Sequence, residues 1–205
     1  MQIMTTLPDN IRMKLFNTLN GDIAIEDFEK WIYGDSKLES ILNQDDYLDL
    51  ISLNYKKIGA RFELLNLIEK LVDLGEYETY KMLMLLDKAG QKDEKLPYHL
   101  MEFYHLYCRG YYFLSDIGLG YGLSIEVPPK SNSWDNLTKK QQEKLLMGFS
   151  PGLDIEIQRV TVWLKSKKIV LTGKRDEYGH FEYEDYRNEG EKQSLIWKDN
   201  LKSND

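Results

Sequence analysis

The sequence predicts a mainly α fold, a helical bundle with a small C-terminal β-hairpin, with α+β as the neighbouring class. Three observations carry this reading. Apolar residues recur at helical spacing through the first two thirds of the chain. Gly and Pro interrupt that pattern at helix-sized intervals. Only Ile169–Gly173 and His180–Tyr186 combine a β-branched run with the period-two alternation of a paired strand.

The elements follow in order. Ala24, Phe28, Trp31 and Ile32 share one face of a first helix, which Gly34 ends. Ser36 and Glu39 stand at capping-box spacing for a short helix reaching about Asn43. Asp45 or Asp46 is the expected cap of the next helix, whose apolar side is Tyr47, Leu50, Ile51 and Leu53. Residues 59–75 carry the clearest stripe, Leu64, Leu65, Ile68, Leu71 and Val72, with Gly75 as the expected stop. Tyr77–Ala89 is another helix, closed by Gly90 and a solvated turn at 91–95. From Pro97 a long helix, apolar around most of its circumference, reaches about Ser115. Such an element belongs at the centre of a bundle. Its narrow polar stripe is Glu102, His105, Arg109 and Asp116.

Gly118 to Trp134 is a Gly- and Pro-marked break. The expected organisation is therefore a helical core at 1–117, a connection at 118–134, and C-terminal helices, hairpin and tail at 135–205, packed together as one domain. Thr138–Phe149 reads as an amphipathic helix. Ser150 and Pro151 have the N-cap and N1 arrangement for the next one, which carries Leu153, Ile157, Val160 and Leu164 with Trp163 beside them. Its β-branched content also fits a strand, so both assignments stay open for 154–166. From Glu189 the pattern weakens to a tail, where Leu195, Ile196 and Trp197 are the residues able to dock.

Composition sorts the function classes. Hydrophobic residues are 42%, charged residues 30% and aromatics 12%, which excludes general disorder. No apolar run approaches the ~20 residues of a membrane span, so no membrane partner is expected. The N-terminal residues lack the basic region, apolar run and small-residue cleavage site of a signal peptide. Cys108 is the only cysteine and excludes an internal disulfide, so a reducing cytoplasm is the expected location.

Net charge is −7, and its distribution is uneven. Residues 1–129 carry −8 and residues 130–205 carry +1. Residues 22–49 hold nine acids and two bases, an excess equal to that of the whole chain. Nucleic-acid binding usually needs a basic patch, so DNA and RNA are disfavoured as partners. An acidic face has the right sign for a basic protein partner.

Few residues have the pattern of a reactive centre. His99, Glu102 and His105 share a helix, but the two imidazoles lie six positions apart, about 120° around its axis, and cannot meet at one metal as an i, i+4 pair does. Glu102, His105 and Arg109 read instead as a paired polar stripe. They remain the candidate site of an alternative reading, a hydrolase whose cleft lies over the stripe. "GLGYG" at 118–122 follows a helix and has Leu at 123, which departs from the strand-to-helix fingerprint of a dinucleotide loop and fits a flexible turn. Cys108 reads as a buried, inert thiol. No catalytic residue, metal site or cofactor is expected.

The expected partner surface is Glu39, Asp45, Asp46 and Asp49, with Tyr47 and Tyr55 as the aromatic component. A second projecting element is the hairpin tip, Lys174, Arg175, Asp176, Glu177 and Tyr178. His180 stands just beyond it with no assigned partner.

"FEKWIY", "LESIL" and "DDYLDLISLNY", followed by helical sequence, resemble the small cytoplasmic immunity proteins encoded beside bacterial polymorphic toxins. "WLKSKKIVLTG" and "YGHFEYEDYR" extend the resemblance, which spans residues 20–75 and 150–187. It implies a non-catalytic, stoichiometric inhibitor: a compact, often acidic protein that binds a cognate toxin effector domain at its active site or an exosite. These families share no one set of binding residues, so no roles are carried over. The expected function is thus toxin neutralisation by protein–protein interaction. The stripe hydrolase and a regulatory or scaffold domain are the alternatives.

Overall fold

The computed structural model describes residues 7–129 and 131–196. As expected, the chain is mainly helical with one two-stranded antiparallel sheet near the C-terminus. It divides into two compact units, 1–77 and 78–205, a division that falls elsewhere than at 118–134.

In the first unit α1 (Asp9–Asn20) precedes every helix expected from the sequence. Ile11, Leu15 and Phe16 form its buried face. Gly21, in the left-handed conformation at φ 89°, closes it by donating its N–H to the Thr18 carbonyl. Then come α2 (Ile25–Gly34), α3 (Leu38–Ile41), α4 (Gln44–Ser52) and α5 (Ala60–Leu71). α5 packs against α1 and α4, and α2 and α3 pack against α4. Phe28, Ile32, Leu38, Leu50, Leu64 and Ile68 are buried in the core of this unit.

Three local signals differ from expectation. Ser36 does not cap α3: the N-cap position is Lys37, and no side chain caps it. Asn43, not Asp45 or Asp46, caps α4, accepting the Asp46 N–H at 2.8 Å. The two aspartates sit in the first turn, where their charge complements the helix dipole. Gly75 does not stop a helix. α5 ends at Leu71, and α6 (Leu74–Gly90) runs through Gly75, because the Asp73 carboxylate receives the Glu76 N–H at 2.9 Å and so starts a new helix upstream.

In the second unit α7 (Leu96–Cys108) is the central helix, with Leu100 and Phe103 fully buried. It stops well short of Ser115. Gly110 adopts φ 115°, and a Cβ there would lie 2.8 Å from the Phe181 carbonyl oxygen, so backbone from the hairpin occupies the path of the next turn. Phe181 N–H bonds to the Arg109 carbonyl at 2.7 Å and fixes that approach. The chain continues as a 3₁₀ turn (Tyr112–Leu114), a π-helix (Asp116–Gly122) and α8 (Leu123–Glu126).

The "GLGYG" stretch is therefore neither a flexible turn nor a phosphate loop. It is a π-helix packed on α7, so close that a Cβ on Gly122 would lie 2.3 Å from the Leu100 carbonyl oxygen. α9 (Lys139–Met147) starts from a Thr138–Gln141 capping box. Residues 154–166 are helical: α10 spans Gly152–Lys165, with Pro151 at the N-cap position in place of the expected Ser150.

β1 (Ile169–Arg175) pairs with β2 (Phe181–Asp185), with Leu171 opposite Tyr183 and an irregularity between Leu171 and Arg175. Lys174 and Arg175 belong to β1, so the projecting turn is shorter than expected and begins at Asp176. The C-terminal segment is ordered against this unit through α11 (Glu189–Lys192), which Asn188 and Glu191 cap reciprocally. Ile196 packs against the unit's core, and Trp197 lies outside the described residues.

Candidate functional site

The acidic surface of the first unit is built by α3 and α4. The exposed side of α4 is Gln44, Asp45, Leu48, Asp49 and Ser52, one face at i, i+3 and i+4 spacing. Leu48 is 44% exposed and shares this face with Asp45 and Asp49. Among the described residues, Glu39, Asp45 and Asp49 form no ion pair. Their charge therefore faces solvent, whereas Asp27 is paired with Lys30 at 2.9 Å. Asp46 is turned toward Asn43, with which it hydrogen-bonds.

Tyr47 is half-buried. Tyr55 is not a surface residue: it lies in the core, its hydroxyl donates to the Leu50 carbonyl at 2.9 Å, and burial raises its pKa. Tyr33 takes the surface position instead. It is 59% exposed, anchored by its hydroxyl to the Ile51 carbonyl at 2.7 Å, and its ring lies edge-on to Tyr55.

The hairpin tip belongs to the second unit. Asp176 organises it, accepting N–H bonds from Tyr178 at 2.9 Å and His180 at 2.8 Å. The His180 ring nitrogen Nδ1 lies 3.3 Å from Asp176 Oδ2, which supplies the partner that the sequence did not identify. These hydrogen bonds, those to the backbone above all, hold the Asp176 carboxyl below its ordinary value. Asp176 is thus structural, while Glu177 is exposed and Tyr178 projects at 78% exposure.

Glu102, His105 and Arg109 lie together on the open surface of α7. Arg109 pairs with Glu102 at 3.1 Å, and His105 approaches Glu126 at 3.7 Å. Among the described residues of this unit are clefts that do not include the stripe. One, of about 400 Å³, is lined by Leu83, Leu86, Gln91, Ile157 and Lys165. Another, of about 490 Å³, runs along α9 by Leu137, Lys144, Leu145 and Phe149. Cys108 is exposed rather than buried, and Tyr104 stands one turn back on the same helix.

Asp116, the expected fourth member of the stripe, has left it. The chain breaks after Arg109, and the π-helix carries Asp116 into the interior, where it is 5% exposed. There it meets Glu156 and Arg159 of α10. Arg159 bonds Glu156 at 2.7 Å and approaches Asp116 at 3.6 Å. Burial pushes the Glu156 carboxyl up to about 7, Asp116 adds to the rise, and Arg159 opposes it. Tyr121, buried beside both acids, is pushed up to about 12. Sequence reasoning missed this cluster, although one signal was present: Glu156 interrupts the buried face of α10 between Leu153 and Val160.

Among the described residues no group of three or more His, Cys, Asp or Glu side chains is placed to hold a metal. No helix among them is long and apolar enough to cross a membrane. In comparisons with known proteins, no family model, no curated protein and no solved structure matches this chain.

Proposed function

We propose that this chain is a stoichiometric binding protein that neutralises a basic toxin effector domain in the bacterial cytoplasm, as the immunity proteins it resembles do. The outward face of α4 is the contact. One observation carries the placement: an exposed Leu48 on the same face of α4 as Asp45 and Asp49, whose carboxylates form no ion pair among the described residues. Interfaces commonly place an apolar anchor inside a charged rim, and the rim charges steer encounter with a partner of opposite sign. Glu39 on α3 and exposed Tyr33 extend the same chemistry within this unit. The reading requires no reactive centre.

The test is co-expression with the product of the neighbouring gene. Wild type restores growth, and the Asp45→Lys/Asp49→Lys double variant fails to restore it while keeping its circular dichroism spectrum. Absence of rescue by wild type overturns the function. Full rescue by the double variant overturns the surface.

A further inference from the structure

We propose that residues 188–196 form a proton-controlled latch, seated on Arg159 and the buried Asp116–Glu156 pair and loosened when Glu156 loses its proton. Three elements of the second unit converge there. α10 supplies Glu156 and Arg159, the π-helix supplies Asp116, and the C-terminal segment presents its backbone.

Arg159 Nη2 donates to the carbonyls of Glu191 at 2.6 Å and Gln193 at 2.9 Å. The Leu195 N–H donates to Asp116 Oδ2 at 3.0 Å. The side chains of Glu156 and Asp116 are 3% and 6% exposed, so solvent screens neither. The other charged groups on this cluster are few. Tyr121 faces it from the π-helix. Asp154, two residues before Glu156 on α10 and so on the opposite side of the helix, is paired with Lys92. On the segment itself Glu191 is paired with Lys168. Arg187 lies over the Trp163 ring, 4.4 Å from its centre, as Arg159 does at 4.6 Å, and is paired with Asp185.

Two buried carboxylates facing one guanidinium leave an uncompensated negative charge, which is costly in a low-dielectric interior. Asp116 Oδ1 sharpens the point: it is buried and has no hydrogen-bond donor among the described residues. Glu156 lies in hydrogen-bonding contact with Asp116. A protonated Glu156 supplies the missing O–H donor, and an ionised one cannot. With the proton in place, one carboxylate balances one guanidinium, Arg159 keeps its grip on the segment's carbonyls, and Asp116 keeps the Leu195 N–H. When the proton passes to bulk water, Glu156 and Asp116 repel each other and compete for Arg159. The longest tie, Arg159 to Asp116, yields first and takes the Leu195 bond with it. The burial-driven rise at Glu156 places this event near neutral pH.

The experiment is hydrogen exchange of the full chain from about pH 5.5 to about pH 8.5, corrected for intrinsic rates, alongside a carboxyl carbon titration of Glu156. Protection of the Leu195 amide falls at least about tenfold across that range in wild type and stays level in Glu156→Gln, whose side-chain amide keeps a donor for Asp116. Unchanged Leu195 protection in wild type overturns the latch, and so does an equal fall in Glu156→Gln. Should that variant fail to fold, the wild-type titration still decides: a Glu156 carboxyl fully ionised by about pH 5.5 overturns the proposal.

Discussion

Replacing Glu156 by Gln should reshape the pH dependence of stability. An ordinary glutamate titrates at 4.5, whereas burial holds this one at about 7 in the folded protein. Between those values the folded chain keeps a proton that the unfolded chain has released. Stability is therefore fully present below about pH 4.5, falls as pH rises, and levels off above about pH 7. The slope reaches about 1.4 kcal/mol per pH step, and the whole window amounts to about 3 kcal/mol. Depressed carboxyls such as Asp185, held down by Arg187, act with the opposite sign and below the ordinary carboxylate range, so they leave this window clear. Urea titrations of both proteins from about pH 4.5 to about pH 8 measure the effect. Wild type loses stability across the range, Glu156→Gln does not, and above neutral pH the variant is the more stable protein. Parallel curves would refute the reasoning, because they would mean that Glu156 is ionised throughout.

Other substitutions test the packing. Tyr111 is fully buried and stacked on Phe181 with ring centres 4.5 Å apart, and its hydroxyl has no hydrogen-bond partner among the described residues. Tyr111→Phe should raise stability by about 1 kcal/mol, read as a higher melting temperature, and a loss of that size would show that the hydroxyl is satisfied. Gly110→Ala forces a Cβ against Phe181 backbone from a positive φ, and should cost at least about 2 kcal/mol in denaturant titrations. Tyr178→Ser, at the exposed tip of the hairpin, should leave stability within about 0.5 kcal/mol.

The fold class was legible because helical periodicity and the paired strand signals are local, and most helices appear where their stripes lie. The errors fall where local signals compete. Gly75 looks like a stop, but Asp73 caps a new helix just upstream of it. The stripe from Glu102 to Asp116 holds only while α7 runs on. Its continuation is blocked by Phe181, about seventy residues away in sequence, and no window on α7 contains that contact. The same break exposes Cys108 and buries Asp116. Tyr55 is close to the acids in sequence, but it lies in the turn beyond the end of α4, and its side chain enters the core. Asp45 and Asp49 are exposed because α4 is regular and amphipathic, whereas no sequence signal singled out Leu48, which shares their face.

The central claim is that this chain binds a basic toxin domain through the α4 face. The most direct measurement is titration calorimetry with the product of the neighbouring gene, at about 50 mM and about 300 mM salt. The predicted result is a one-to-one complex that weakens as salt rises and weakens at least about tenfold on Asp45→Lys/Asp49→Lys substitution. No complex, or one indifferent to both salt and substitution, would contradict it.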